Sequence, residues 1–139
     1  MKYVRKGNNI IVRLEVDDDI NTKLLELAGK ENITAGSLTG IGATDDFTVG
    51  VFDLEKSAYD KFSFTGNHEI TALTGNFTTM NGEKYLHVHI NCADKEGKLV
   101  GGHLLKARIS LTAEIFVNVI DCDVDRKYDD ALGINLMDV

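Results

Sequence analysis

The segment RISLTAEIFVNVI, residues 108–120, alternates apolar and polar side chains almost without a break. Ile109, Leu111, Ala113, Ile115, Val117 and Val119 fall on one side, and Arg108, Ser110, Thr112, Glu114 and Asn118 on the other. A helix, turning ~100° per residue, would scatter these six apolar groups around its axis; a strand puts them all on one face. The same period recurs in NNIIVRLEV, where Val12, Leu14 and Val16 oppose Arg13 and Glu15. FTVGVFDL gathers Phe47, Val49 and Val51, YDKFSFTG gathers Phe62 and Phe64, and EITALTGNFTTM is a further β-rich segment running into the turn NGEK. One stretch breaks the pattern. In DDDINTKLLELAGKEN, Ile20, Leu24, Leu27 and Ala28 share a helical face, and an Asp at 17 or 18 can cap the N-terminus. Short turns between the strands predict an α+β domain: a mixed, mostly antiparallel sheet with one main helix packed on it.

A chain of 139 residues without proline suggests one domain, here residues 1–123. The acidic segment 124–139 has weak periodicity and reads as an extended tail, packing on the domain or on a neighbouring subunit. Phe52 and Phe116 stand on otherwise polar faces, which fits an oligomer interface. The net charge of −7, with Lys and Arg scattered, disfavours contact with a nucleic-acid backbone. The N-terminus lacks the apolar run of a secretion signal, and no stretch approaches the ~20 apolar residues needed to span a membrane. Cys92 and Cys122 lack CxxC spacing and read as reduced thiols. These features predict a cytoplasmic protein.

Three of the four histidines fall within KYLHVHINCADKEGKLVGGHLLKA, residues 84–106. Period two puts His87 and His89 on one strand face with Tyr85 and Asn91; Leu86, Val88, Ile90 and Cys92 take the other. A hairpin centred near Glu96 sets His89 directly opposite His103, with Cβ atoms about 5 Å apart. Three such imidazoles can converge on one ion, each nitrogen about 2 Å away, leaving an open position for water or substrate. Zinc is the first choice; iron or nickel, or copper, also accept imidazole. Two other arrangements compete. A one-residue register shift would turn His103 to the wrong face, and Gly101–Gly102 could place it in a loop. The three would then be surface imidazoles. His68 reads as a turn or strand-end residue, with a fourth-ligand role as the alternative. Glu69 and Glu114 are candidate general bases by chemistry alone, so no catalytic residue is assigned and enzymatic activity stays open.

Gly36, Gly40 and Gly42 lie in the strand-like context ITAGSLTGIGATDDFTVGVFD, where glycine marks a bulge or a close backbone approach. They do not match a dinucleotide-binding GxGxxG before a helix. The order AGSLTGIGA, GNHEITALTGNF, LHVHI and GGHLLKARISLTAEIFV instead resembles the PPC (plants and prokaryotes conserved) domain over nearly the whole chain. The resemblance implies an α/β fold with a mostly antiparallel sheet, a homotrimer, and a DNA-binding, regulatory label inherited from plant members that carry AT-hooks. It also implies a retained His-x-His and Gly-Gly-His at His87, His89 and His103. No Arg-Gly-Arg hook occurs here, and Gly66-Asn67-His68-Glu69-Ile70 stands where plant members have Gly-Arg-Phe-Glu-Ile. The expected protein is therefore a stand-alone prokaryotic member. Three roles compete: a DNA-associated regulator, a metal-dependent enzyme or small-molecule binder, and a partner-binding module with inert histidines.

Overall fold

The computed structural model describes residues 1–139. Strands β1 (Lys2–Lys6) and β2 (Asn9–Leu14) lead into helix α1 (Ile20–Lys30). Four long strands follow: β3 (Gly36–Asp53), β4 (Ala58–Met80), β5 (Glu83–Ala93) and β6 (Leu99–Val119). A terminal pair, β7 (Asp125–Asp129) and β8 (Ile134–Asp138), completes the chain. The main sheet runs β1-β2-β6-β3-β4-β5, and β5 also pairs with the start of β6, so the last four strands close on themselves.

Every ladder is antiparallel, which corrects the expectation of a mixed sheet. The reason lies in the one long connection. A helical crossover normally joins parallel neighbours. Here α1 does carry the chain between the parallel strands β2 and β3, but β6 lies between them and pairs with both.

The helix presents the expected face. Ile20, Leu24, Leu27 and Ala28 are buried in one core cluster with Val88, Ile90 and Cys92 of β5 and Leu104, Ala107 and Ile109 of β6. Burying each large aliphatic side chain contributes ~1.5–3 kcal/mol. The cap is Asp19, not Asp17 or Asp18: its carboxylate accepts from the Thr22 amide and hydroxyl at 2.9 and 2.7 Å. Asp17 sits at φ 69°, and the Asp18 carboxylate is taken up by the N-terminal amine at 2.8 Å.

The β5–β6 ladder runs only from Ala93↔Leu99 to His89↔His103. There the two strands part. β5 stays with β4, and β6 continues along β3. The carbonyls that β6 exposes beyond the fork find new donors on α1: Asn21 Nδ2 donates to Leu104 and Leu105 at 3.3 and 3.1 Å. Buried backbone groups left without partners are costly, so this substitution holds the fork open at a defined point.

Two patterning expectations fail. Leu111 is 69% exposed although Ile109 and Ala113 are fully buried. Between the pairs Gly42↔Ala113 and Thr44↔Ile109, β6 spends two more residues than β3, and this bulge turns Leu111 outward. Val51, aligned with Phe47 and Val49 by period two, and Phe62, aligned with Phe64, are exposed near the far end of the β3–β4 ladder. Phe116 is exposed opposite Ile11, as its polar surroundings suggest, whereas Phe52 packs its ring edge-on against Tyr59.

The C-terminal segment is a hairpin, not an extended tail. β7 and β8 pair from Asp125↔Asp138 to Asp129↔Ile134, with Gly133 at φ 71° in the turn. It is anchored on β4: the Thr79 amide donates to Val124, and the Arg126 side chain is buried against Thr78 and Asn76.

Candidate metal centre

His87 and His89 project from one face of β5, and His103 stands directly across from His89 at the fork. Cross-strand from them on β4 are Asn76, paired with His87, and Thr74, paired with His89. The two glycines before His103 settle its place in a strand. A side chain at Gly101 would run into Asn91 Oδ1 and the Ile90 carbonyl, and one at Gly102 would come within 2.8 Å of the Gly50 carbonyl. Only glycine lets β6 squeeze between β5 and β3 there, and that squeeze delivers His103 opposite His89.

The three rings converge. Their centroids are 5.2 Å (His87–His89), 5.0 Å (His87–His103) and 5.5 Å (His89–His103) apart. One ligand nitrogen from each lies within 4.8 Å of the others. The Nε2 atoms of His87 and His89 are 3.2 Å apart. A tetrahedral ion bound at ~2.0–2.1 Å sets its ligand atoms ~3.3–3.4 Å apart, so this pair already has the required separation. Nδ1 of His103 is buried without a hydrogen-bond partner, an arrangement that costs ~1–3 kcal/mol unless something satisfies it. The donor set therefore fits a transition metal.

Electrostatics point the same way. Burial, then the neighbouring His103 and His89, then the Arg126 guanidinium lower the His87 pKa from 6.5 to about 4. Burial, followed by His89, also lowers that of His103. Both rings are thus held neutral, the form in which imidazole ligates.

Residues that the sequence reading did not single out complete the surroundings. The Tyr59 ring stacks on His103 at 5.0 Å, in space that exists because Gly50 has no side chain. Burial, and secondarily Tyr85, push the Tyr59 hydroxyl above its ordinary pKa. Arg126 lies over the Tyr85 ring at 4.6 Å. No spacing signal connects Tyr59 or Arg126 to the histidines, because the contacts depend on how β4 bends and where the terminal hairpin docks.

The other candidates lie elsewhere. Glu69 and Glu114 line a groove with Ile41, Leu111 and Thr112, and that groove shares no lining residue with the one at His87 and His89. His68 bonds its Nδ1 to the Gly66 carbonyl at 2.7 Å and sets its ring edge-on to Phe47 at 5.1 Å. It belongs to a strand and stands outside the cluster of three.

Comparison with known proteins agrees with this architecture. The family profile of the Plants and Prokaryotes Conserved (PCC) domain, written PPC above, matches residues 1–121. The chain belongs to this family. A solved structure from Bacteroides thetaiotaomicron, described as a "putative dna binding protein", is 34% identical with a TM-score of 0.95, covering 99% of this chain and 96% of its own. A PPC protein of Pyrococcus horikoshii is 27% identical with a TM-score of 0.88, covering 99% and 94%. A protein of Archaeoglobus fulgidus described as metal-containing is also 27% identical with a TM-score of 0.88, covering 98% of each chain. No curated protein matches this chain.

Proposed function

We propose that this PPC-domain protein is a metal-dependent small-molecule-binding protein whose centre is the triangle of His87, His89 and His103. The observation that carries the reading is convergence: three imidazoles from two strands offer ligand nitrogens within 4.8 Å of one another, beside a buried ring nitrogen with no partner. The metal-containing relative from Archaeoglobus supports it. Zinc suits the all-nitrogen set; iron and nickel are the alternatives. Such an ion supplies a Lewis acid with a position open to water or ligand. The protein's own part is to fix three neutral imidazoles, stack Tyr59 on one of them and keep carboxylates out of the lining. With no carboxylate beside the histidines, the reading is a binding site first; an enzymatic role would require a base that Glu69 and Glu114, lying apart, do not provide.

The test is metal analysis of purified protein, followed by isothermal titration of chelator-treated protein with zinc, nickel and iron(II). Wild type should bind about one ion per chain, and the triple alanine variant none. Equal behaviour of the two would reduce the histidines to surface residues.

The Bacteroides neighbour's description favours a second reading, DNA association. Against it, the cations are largely spent on acids: Arg5 on Glu31, Lys30 on Glu26, Lys106 on Asp46, and Arg108 on Asp17 and Asp45. Sub-micromolar binding to AT-rich duplex at about 150 mM salt would restore it, since sequence-independent contacts fade steeply with salt. We further propose a homotrimer, supported by the family resemblance and by the exposed Ile11, Ile41, Leu111 and Phe116.

A further inference from the structure

Arg126 is buried to 5% exposure, yet it enters no ion pair. Its Nε donates to Thr78 Oγ1 at 2.8 Å, Nη1 to the Asn135 carbonyl at 2.9 Å and Nη2 to Asn76 Oδ1 at 2.9 Å. All three acceptors are neutral. Buried charges are normally matched by an opposite charge, and here none is present.

The contact with Asn76 carries information. A guanidinium can only donate, so the atom that Asn76 turns toward Arg126 must be its oxygen. Its amide hydrogens are then on the other side, with no acceptor in the protein. Asn76 stands across from His87, and with Thr74, Gly75, His87 and His89 it lines a groove of about 250 Å³. The polar groups of that lining are the Asn76 amide, the Thr74 hydroxyl and the two imidazoles. There is no carboxylate among them, and a full positive charge lies directly behind.

We infer that this groove is an oxyanion subsite of the metal centre: a small carboxylate or phosphate-type anion binds beside the ion, taking hydrogen bonds from Asn76 and Thr74. Arg126 is a positioning residue, fixing the amide of Asn76 and supplying the charge that the ligand balances. The inference rests on the metal reading above, and it names the chemical class of ligand that the centre takes. Arg126 lies on β7, beyond the residues matched by the family profile, so the subsite is assembled by the terminal hairpin.

The variant Asn76→Asp separates the two ideas. It keeps an oxygen for Arg126 and the side-chain size, so it should fold, but it removes the amide donor and cancels the charge. Zinc-loaded wild type and variant are titrated calorimetrically with acetate, methylphosphonate and neutral acetamide, with zinc content measured before and after. Wild type should bind at least one of the two anions and not acetamide, with the preferred anion reporting whether carboxylates or phosphates are the natural class. The variant should lose at least tenfold in anion affinity at unchanged zinc content. Arg126→Gln should lower anion affinity likewise while leaving zinc affinity within about threefold, whereas a purely structural role would move both. If zinc is held but wild type binds neither anion better than acetamide, or Asn76→Asp binds them as well as wild type, the subsite is wrong and the metal centre stands. If wild type takes up no metal, both fall together.

Discussion

Two grooves share strand β4 and differ in what they bring together. The larger, at the β6 bulge, sets Glu69 and Glu114 beside the apolar Ile41 and Leu111. Its two charged groups are both acidic, and Ile41 and Leu111 are exposed, which suits contact with another protein surface. The smaller, at the β5–β6 fork, joins His87 and His89 to Asn76 and Thr74, with His103 across from His89. Here neutral ligand atoms converge. Size would have chosen the first groove as a ligand site; chemistry chooses the second.

The sharpest break of this contrast comes from the imidazoles. Replacing His87, His89 or His103 with Ala should weaken zinc binding at least a hundredfold, about 2.7 kcal/mol or more, with circular dichroism unchanged. Glu69→Gln and Glu114→Gln should leave calorimetric zinc affinity intact. Comparable losses from the glutamates would erase the distinction. Next in size, Ile41→Glu with Leu111→Glu should shift the sedimentation-equilibrium mass from about three times 15.3 kDa toward a single chain, with metal uptake retained. A wild-type monomer at micromolar concentration would sink the assembly proposal.

A smaller effect is expected from pH. Folded His87 titrates near 4 against 6.5 for a free imidazole, so the unfolded chain takes up a proton that the folded one refuses. Metal-free protein should therefore keep its full stability above pH 6.5 and lose part of it as pH falls toward about 4. The melting temperature of His87→Gln should change less across that window; a parallel decline would assign the pH dependence to other groups. Smallest of all, His68→Ala should change zinc affinity less than about threefold, because that ring packs on Phe47 outside the cluster.

Much of this was legible in the chain. Alternation gave the strands, the Ile20–Ala28 face gave the helix, and the symmetry of the hairpin about Glu96 gave the facing of His89 and His103. What escaped shows the limits of periodicity. Leu111 reads as core because period two cannot see an insertion in one strand relative to its partner. Asp19 outcompetes Asp17 and Asp18 as the cap because the N-terminal amine claims Asp18, a contact between distant parts of the fold. The terminal hairpin is hidden because each of its strands spans only five residues, and its one buried side chain is charged. Tyr59 reaches His103, and Arg126 reaches Asn76 opposite His87, through tertiary packing alone, so no local pattern announces them.

The fork between β5 and β6 has a mechanical side. A ladder frays from its ends, and this one ends at the His89↔His103 pair. An ion gripping His87 and His89 on one strand and His103 on the other would act as a rivet at the point where the two would begin to peel apart. Loading the centre would then slow the opening of the ring of strands that the β5–β6 pairing closes, and the first motion to be suppressed would be the separation of these two strands.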